Sequence, residues 1–249
     1  MFEDLISRNF DIDYLSHSKA ILSSDFPEAV EELESALSSL KIPVEELVAS
    51  GGGEAKSTQR LRRGLAEKGW EKSVFEIKKI INGVERESQS HEIDHVRRSR
   101  DGSVIALEIE WNNKDPFFDR DLENFKRLHS EGAISVGVVI TRGASLQASI
   151  EEMVRIYARK KKISNIENLT KTLLRIGGKE PTARQKAIYT QIAETRGVSF
   201  AEAWATAFVQ DKFATATTHW AKLQDRVSRG VGNPCPLLLI GLPADIVTD

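Results

Sequence analysis

The sequence has little of the features that mark several common classes of protein. Its 249 residues include one cysteine, Cys235, so a disulfide within the chain is excluded and a reducing compartment fits. Its most apolar runs, residues 134–140 and 236–242, are far shorter than the ~20 residues that a membrane-spanning helix needs. The N-terminal residues lack the basic and then apolar pattern of a signal peptide. We therefore expect a cytoplasmic protein without a membrane partner.

The chain also lacks the excess of positive charge that nucleic-acid binders usually carry. With 35 Lys and Arg residues against 37 Asp and Glu residues, its formal net charge is −2, which argues mildly against such a partner. The cations are clustered, however, because residues 56–63 contain four of them and no acid, and residues 159–162 are all basic. Each cluster is either a solvated helix face or a surface for phosphate groups, and the composition does not choose between them.

Apolar residues at helical spacing predict helices in the first quarter of the chain. We expect Asp25 to cap a helix that starts near Pro27, and Pro43 to open a second, short helix. Three consecutive glycines at residues 51–53 indicate a flexible loop. Residues 54–68 are predicted to form a basic helix.

Strand patterns dominate the middle of the chain, where Asn82-Gly83 is a strong hairpin signal and residues 100–102 mark a second turn. Residues 103–111 alternate between two faces, and the apolar run that follows predicts a buried strand. Further helices are expected over residues 116–130, 146–161 and most of 163–229, before a closing strand at 236–242. We therefore predict one α/β domain over residues 1–249, with a central mixed β-sheet flanked by helices and residues 163–229 as a helical elaboration within it.

Two acids on the alternating strand are the strongest chemical signal in the sequence. Glu108 and Glu110 are two residues apart, so their carboxylates lie on the same face of a strand and repel each other. A divalent cation offsets such repulsion, since hard cations bind carboxylate oxygens. A hairpin turn at residues 100–102 would bring Asp94 close to the pair and complete a Mg²⁺ site suited to phosphodiester hydrolysis. The alternative is that the two acids belong to an ordinary solvated strand face.

The sequence around these acids resembles the BglII/BamHI group of Type II restriction endonucleases, a branch of the PD-(D/E)xK nucleases. The resemblance lies in Ile93-Asp94, in LEIEWNNKDPF at residues 107–117, in the helix after it and in VGVVITRG at residues 136–143, with a weaker echo in PLLLIGL at 236–242. It covers roughly residues 51–143 and the last strand, and residues 163–229 have no clear counterpart. It implies a restriction-endonuclease-like core that hydrolyses double-stranded DNA with Mg²⁺.

The resemblance also implies roles for the acids and for the oligomer. Asp94 and Glu108 match the metal-binding acids of the family. Glu110 stands where most of the superfamily has lysine, so the attacking water could lose its proton either to Glu110 or to bulk solvent. The family cuts short palindromic sites as homodimers, each subunit cutting one strand and leaving a 5′-phosphate, within restriction-modification systems. The helix after Pro116 would then contribute to the dimer interface.

Several polar residues near the acids are candidate DNA contacts. Asn112 and Asn113 match positions that face the major groove in the family, and asparagine is suited to reading adenine, with Lys114 beside them. The alternative for the two asparagines is a loop that leads into a helix. Arg142 is expected to contact a phosphate or a guanine, and Lys56 to lie near the cleaved strand.

Two other features do not follow from the proposed nuclease site and are interpreted separately. Residues 91–95 match H-E-x-x-H, a zinc-protease motif that requires both histidines on one helix turn. We expect a strand there, which separates His91 and His95 by about 13 Å and excludes a shared zinc ion. The acids Asp119, Asp121 and Glu123 suit the start of a helix electrostatically, but they add negative charge beside the site without an evident function.

Two further functions fit the same residues. One is another nuclease of the superfamily, such as a repair or junction nuclease, and the other is a DNA-binding protein without catalysis on the same fold. The intact set of three acids argues against the second. The pair of asparagines beside the acids favours sequence-specific cutting over the first.

Overall fold

A computed structural model describes residues 1–49 and 54–249 of the chain, so the predicted loop of three glycines lies outside the described residues. The strands are β1 Asp11–Leu15, β2 Ile42–Pro43, β3 Glu71–Ile81, β4 Val84–Arg98, β5 Val104–Glu110, β6 Val136–Arg142, β7 Leu237–Leu242 and β8 Val247–Thr248. The helices are α1 Glu3–Ser7, α2 Ser18–Asp25, α3 Pro27–Ser39, α4 Val44–Val48, α5 Lys56–Ala66, α6 Pro116–Ser130, α7 Ala144–Lys160, α8 Ile166–Arg175, α9 Ala183–Arg196, α10 Phe200–Lys212 and α11 Trp220–Ser228.

A six-stranded mixed sheet with the order β1-β7-β6-β5-β4-β3 forms the centre of the fold. The strands β5, β6 and β7 are parallel to one another, whereas β4, β3 and β1 join the sheet antiparallel to their neighbours. The strands β2 and β8 form a separate parallel pair. Helices cover both faces of the large sheet, which confirms the predicted fold class.

The alternation of β5 explains why both faces of the sheet are buried. Ile105 and Leu107 belong to one hydrophobic cluster, and Val104 and Ala106 belong to the other. Both predicted faces are therefore confirmed. The helix α6 covers the second face with the apolar stripe expected of it, made of Phe118, Leu122, Phe125 and Leu128. This packing places α6 directly over the face that carries Glu108 and Glu110.

The hairpin of β3 and β4 turns at Asn82 and Gly83, whose φ angles of 52° and 78° are typical of the predicted turn. Its pairing is irregular at the other end, where Ser73 pairs with Ile93 but Glu71 pairs with Val96. One extra residue of β4 therefore forms a bulge, and bulges often redirect a side chain beside an active site. Asp94 lies at this bulge.

The expectations for the first helices need one correction. Asp25 ends α2, a helix that the sequence analysis does not predict, rather than capping the next one. The following helix α3 begins at Pro27 as expected, and its N-cap residue Phe26 makes no capping hydrogen bond among the described residues. Proline is favoured at the first position of a helix, because its fixed φ angle suits the helix and the N–H group that it lacks would have no partner within the helix.

Residues 163–229 form the four helices α8 to α11, which confirms their predicted helical character. Trp204 of α10 and Tyr189 of α9 join the same hydrophobic cluster as Ile105 of the central sheet. The helices α10 and α11 pack against α7, α9 packs against α10, and α11 also contacts α6. Among the residues that the structure describes, no helix is both long and apolar enough to cross a membrane.

Gly137 of β6 lies where α6 approaches the sheet so closely that there is no space for a side chain. A Cβ atom there would lie 2.5 Å from Cδ2 and 2.8 Å from Cγ of Phe125. We predict that Gly137→Ala lowers the free energy of unfolding by roughly 1–3 kcal/mol, because the overpacked ring must move away from the sheet. Urea denaturation followed by circular dichroism measures this change.

Gly64→Ala provides the matched control. Gly64 lies within α5, and a Cβ atom there would have no neighbour within 4 Å. This substitution is expected to raise the free energy of unfolding by up to about 1 kcal/mol, since alanine favours the helix. Equal effects of the two substitutions would contradict the close packing of Phe125.

Candidate active site

The three acids singled out from the sequence lie close together. The pairing of His95 with Leu107 aligns β4 with β5, and the backbone N–H of Asp94 donates a hydrogen bond of 3.4 Å to Oε1 of Glu108. Glu108 and Glu110 are 6% and 3% exposed. The alternative of a solvated strand face is therefore wrong, because both carboxyl groups are buried beneath α6.

A fourth acid, Asp121 of α6, completes the cluster and was not singled out as a site residue. It is 1% exposed, its charge acts on the Glu110 carboxyl group, and its Oδ2 atom has no partner among the described residues. The sequence does contain one indication of its burial, because Asp121 lies on the apolar stripe of α6 with Phe118, Leu122 and Phe125. An acid on an apolar stripe needs a partner inside the protein.

Burial changes the protonation of these acids. Desolvation, together with the nearby charges of Asp121 and Asp94, raises the pKa of Glu108 to about 9. Desolvation and the charge of Asp121 raise the pKa of Glu110 to about 8, and desolvation raises the pKa of Asp121. Without a cation, Glu108 and Glu110 therefore retain protons at neutral pH.

Glu110 is held from two sides by neighbouring polar groups. The Nδ2 atom of Asn113 donates a hydrogen bond of 2.7 Å to Oε2 of Glu110. The Nη2 atom of Arg120 lies 3.5 Å from Oε1 of Glu110 and 2.7 Å from Oδ1 of Asp121. These contacts fix the orientation of the Glu110 carboxyl group.

The donor set fits a divalent cation of the Mg²⁺ type. All four groups offer carboxylate oxygens, which such ions prefer, and Oδ2 of Asp121 is a buried acceptor without a partner in the described chain. Within residues 1–49 and 54–249, no three acidic, histidine or cysteine side chains are already arranged to hold a metal ion. Asp94 is exposed and lies 3.7 Å from Nζ of Lys72, so its side chain is free to turn toward Glu108 once that ion pair opens.

The loop after β5 carries three of the predicted DNA contacts and is anchored by the helical region. The side chain of Thr218 accepts a 3.1 Å hydrogen bond from the Asn113 backbone, and the Asn113 carbonyl accepts one from the Thr218 backbone. Lys114 forms a β-bridge with Thr217. Asn112 lies in the same loop, and its Oδ1 atom is buried without a partner among the described residues. The helical region of residues 163–229 thus positions the loop beside the acids through Thr217 and Thr218.

The expectation that Arg142 contacts DNA is wrong for this conformation. Its side chain is 0% exposed and donates hydrogen bonds of 2.9 Å to the Trp111 carbonyl and 2.7 Å to the Thr218 carbonyl. The guanidinium group also lies 5.0 Å from the ring centre of Phe213. Burial lowers the pKa of Arg142 to about 9. It connects the end of β5 to the helical region instead of facing the solvent.

A cleft of about 990 Å³ opens beside the acids and contains most of the other predicted residues. Its lining includes Asp94, Glu110, Asn112, Asn113, Arg120, Lys56, Arg62 and Lys212. Lys212, at the end of α10, was not predicted as a site residue, because its position far along the chain does not indicate that it reaches the cleft. Its Nζ atom donates a 3.0 Å hydrogen bond to the Leu47 carbonyl, and burial lowers the pKa of Lys212 to about 8.

The H-E-x-x-H motif lies on β4, which confirms that it forms a strand. Nδ1 of His91 lies 3.0 Å from Oδ1 of Asn124, and Nδ1 of His95 lies 3.3 Å from the Leu107 carbonyl. The two histidines thus have different partners. The zinc-protease interpretation therefore has no geometric support.

Comparison with known proteins identifies one family. A family model described as restriction endonuclease BglII/BglIII matches residues 10–242. This match includes residues 163–229, although the sequence motifs alone show no counterpart of these residues in the family. No match to the chain was found among curated proteins.

The raised pKa of Glu108 predicts a characteristic pH dependence of stability. In the unfolded chain this carboxyl group loses its proton near pH 4.5, whereas in the metal-free fold it does so near pH 9. The fold therefore binds the extra proton, and stability falls as the pH rises through this interval. We predict that Glu108→Gln is more stable than the unsubstituted protein at about pH 8.5, by up to about 5 kcal/mol, whereas the two proteins have nearly the same free energy of unfolding near pH 5.

Glu123→Gln is the control for this experiment, since Glu123 is partly exposed and pairs with Lys126. Its stability should follow that of the unsubstituted protein at each pH. Chemical denaturation in a chelating buffer at the two pH values measures all three proteins. A Glu108→Gln variant that loses stability with pH as steeply as the unsubstituted protein would contradict the burial of this carboxyl group.

Proposed function

Because the chain belongs to the BglII/BglIII family of restriction endonucleases, and is therefore a Type II restriction enzyme that hydrolyses DNA, we propose that it cuts both strands of a short palindromic site with the help of Mg²⁺. The observation that supports this most strongly is the cluster of the exposed Asp94 with the buried Glu108, Glu110 and Asp121 beside a cleft. Membership in the family decides against a repair or junction nuclease.

We assign the metal ligands to Asp94 and Glu108. Restriction endonucleases generally use a divalent metal ion, which polarises the phosphate and lowers the pKa of the attacking water. The hydrogen bond between the two residues already joins their positions on β4 and β5. The exposed Asp94 faces the cleft, and the buried Glu108 anchors the inner side of the site.

The protein groups orient the reaction around these ligands. In the hydrolysis, the water oxygen bonds to phosphorus, the bond between phosphorus and the 3′ oxygen breaks, and the 3′ oxygen takes up a proton. The water gives up one proton, either to Glu110 or to the solvent. Asn113 and Arg120 hold the Glu110 carboxyl group in one orientation at this step. The products carry a 5′-phosphate and a 3′-hydroxyl group.

We propose that Asn112, Asn113 and Lys114 contact the DNA, together with Lys56, which lines the same cleft as the two asparagines. The amide of Asn112 is suited to bidentate contact with adenine in the major groove. Asn113 already bonds to Glu110, so a base contact by its remaining amide oxygen would connect recognition to the catalytic carboxyl group. Lys212 faces the cleft from the helical wall and adds positive charge there.

The remaining proposals concern assembly and cellular context. A palindromic site requires two subunits related by a two-fold axis, so we propose a homodimer in which α6 contributes to the interface. Residues 163–229 would form a helical elaboration of a single domain, since Trp204 and Tyr189 share one core cluster with the central sheet. The enzyme would act in the cytoplasm within a restriction-modification system, beside a DNA methyltransferase that protects the host.

The test is incubation with plasmid DNA and Mg²⁺, followed by electrophoresis and sequencing of the fragment ends. We predict discrete fragments with one shared end sequence, and a loss of at least about 10³-fold in rate for Glu108→Ala, because the anchoring ligand is gone. Glu123→Gln, on the surface of α6, should cut at the normal rate. Binding without cutting in both Mg²⁺ and Mn²⁺ would overturn the proposed catalysis.

The loop after β5, which contains Asn112, leads to a separate prediction. Asn112→Ala should lower the preference for the cognate site over a site with one substituted base pair, by about 1–3 kcal/mol of discrimination. The ratio of cleavage rates on two matched duplexes measures this preference. Asn124→Ala provides a control, because Asn124 contacts His91 away from the cleft lining. An unchanged ratio in Asn112→Ala would remove this residue from the set of base contacts.

A further inference from the structure

We propose that Arg120 is a further catalytic residue, whose guanidinium group binds the reacting phosphate beside Glu110. The inference rests on the proposed function, because it concerns the same cleft and the same reaction. It assigns to α6 a catalytic contribution beyond packing against the sheet.

The charge of the site is the first argument. Once a metal ion displaces the protons of the buried acids, the remaining negative charge of the cluster would oppose the approach of an anionic phosphodiester. Among the described residues, the cations in contact with this cluster are Arg120, which contacts Glu110 and Asp121, and Lys72, which contacts Asp94. Lys72 also pairs with Glu92 at 2.6 Å, on the outer side of the sheet. Arg120 is the cation placed at the inner acids.

The geometry of Arg120 is the second argument. Its Nε and Nη2 atoms lie 2.8 Å and 2.7 Å from Oδ1 of Asp121, and the guanidinium group lies 4.4 Å from the ring centre of Phe117. The side chain is 55% exposed and lines the cleft. Its Nη1 atom makes no hydrogen bond with the described part of the chain. The planar group is thus held along the edge formed by Nε and Nη2, in a residue that lines the cleft.

An arginine held in this way is suited to a phosphate. A guanidinium group donates two parallel hydrogen bonds to phosphate oxygens, and fixing its plane beforehand reduces the entropy lost on binding. In the reaction, Arg120 would donate N–H groups to a non-bridging oxygen, on which negative charge increases as the water oxygen bonds to phosphorus. The donor stays protonated throughout, so no proton transfer is assigned to it.

Asp121 acquires a function in this arrangement. Burying a carboxyl group at 1% exposure is costly, and Oδ2 lacks a partner in the described chain, so packing alone does not explain the residue. As the acceptor for both Nε and Nη2, it sets the position of the guanidinium group. Asp121 is therefore a positioning residue for Arg120.

The test compares Arg120→Ala and Arg120→Lys with Arg127→Ala. Arg127 lies on the same helix and contacts Gln89, away from the cleft lining. After the cut site has been identified by sequencing fragment ends, a duplex with that site provides the substrate. Three quantities are measured for each variant: the single-turnover cleavage rate with saturating enzyme and Mg²⁺, the dissociation constant without Mg²⁺, and the melting temperature.

We expect Arg120→Ala to cleave about 10²–10³-fold more slowly, as when one donor to a developing negative charge is removed. Its affinity for the duplex should change by less than about tenfold and its fragment ends should keep the same sequence, since one phosphate contact is a small share of DNA binding. Arg120→Lys keeps the charge without the planar fork, and should recover part of the lost rate. Arg127→Ala should cleave at the unsubstituted rate.

Three outcomes would overturn the inference. Cleavage by Arg120→Ala within threefold of the unsubstituted rate would exclude a phosphate contact. Altered fragment ends would identify Arg120 as a base-reading residue. If Arg120→Ala fails to fold, an Arg120→Lys variant with the full rate and a lowered melting temperature would show a structural ion pair. Failure of the unsubstituted protein to cut any DNA would instead reject the proposed function, on which this inference rests.

Discussion

The burial of carboxyl groups between β5 and α6 is the constraint on which the rest of the structure depends. Glu108, Glu110 and Asp121 are buried, and a charged acid is strongly disfavoured in such surroundings. Their raised pKa values are the consequence, because protons replace the missing counter-charge. A divalent cation would replace those protons. The same packing that forms the core therefore prepares a site for a metal ion.

The elements around the acids can be understood as support for this arrangement. The parallel strands β5, β6 and β7 fix the sheet beneath the site, and Gly137 lets α6 approach closely enough to bring in Asp121. Arg142 and Thr218 fasten the loop after β5 to the helical region. Residues far apart in the chain thus hold Asn113 and Glu110 in contact. The family match also extends through residues 163–229, which include Thr218.

The sequence was sufficient for those parts of the site that follow from local periodicity. The alternation of β5 placed Glu108 and Glu110 on one face, and the turn at residues 100–102, between β4 and β5, brought Asp94 to them. Tertiary contacts were not predictable in this way. Arg142 ends β6 at a position that suggests exposure, but its side chain is buried against Phe213, Thr217 and Thr218 of the helical region. Lys212 reaches the cleft only through the packing of α10, which spacing along the sequence does not reveal. Asp121 was recognisable only as an acid on the apolar stripe of α6.

The central claim is that a metal ion replaces protons on these carboxyl groups. Its most direct test is calorimetric titration of Mn²⁺ into the metal-free protein near neutral pH, in two buffers with different heats of ionisation. The account predicts a binding heat that differs between the buffers and corresponds to the release of about one proton or more for each ion bound. Binding with no dependence on the buffer, or no binding at all, would contradict it.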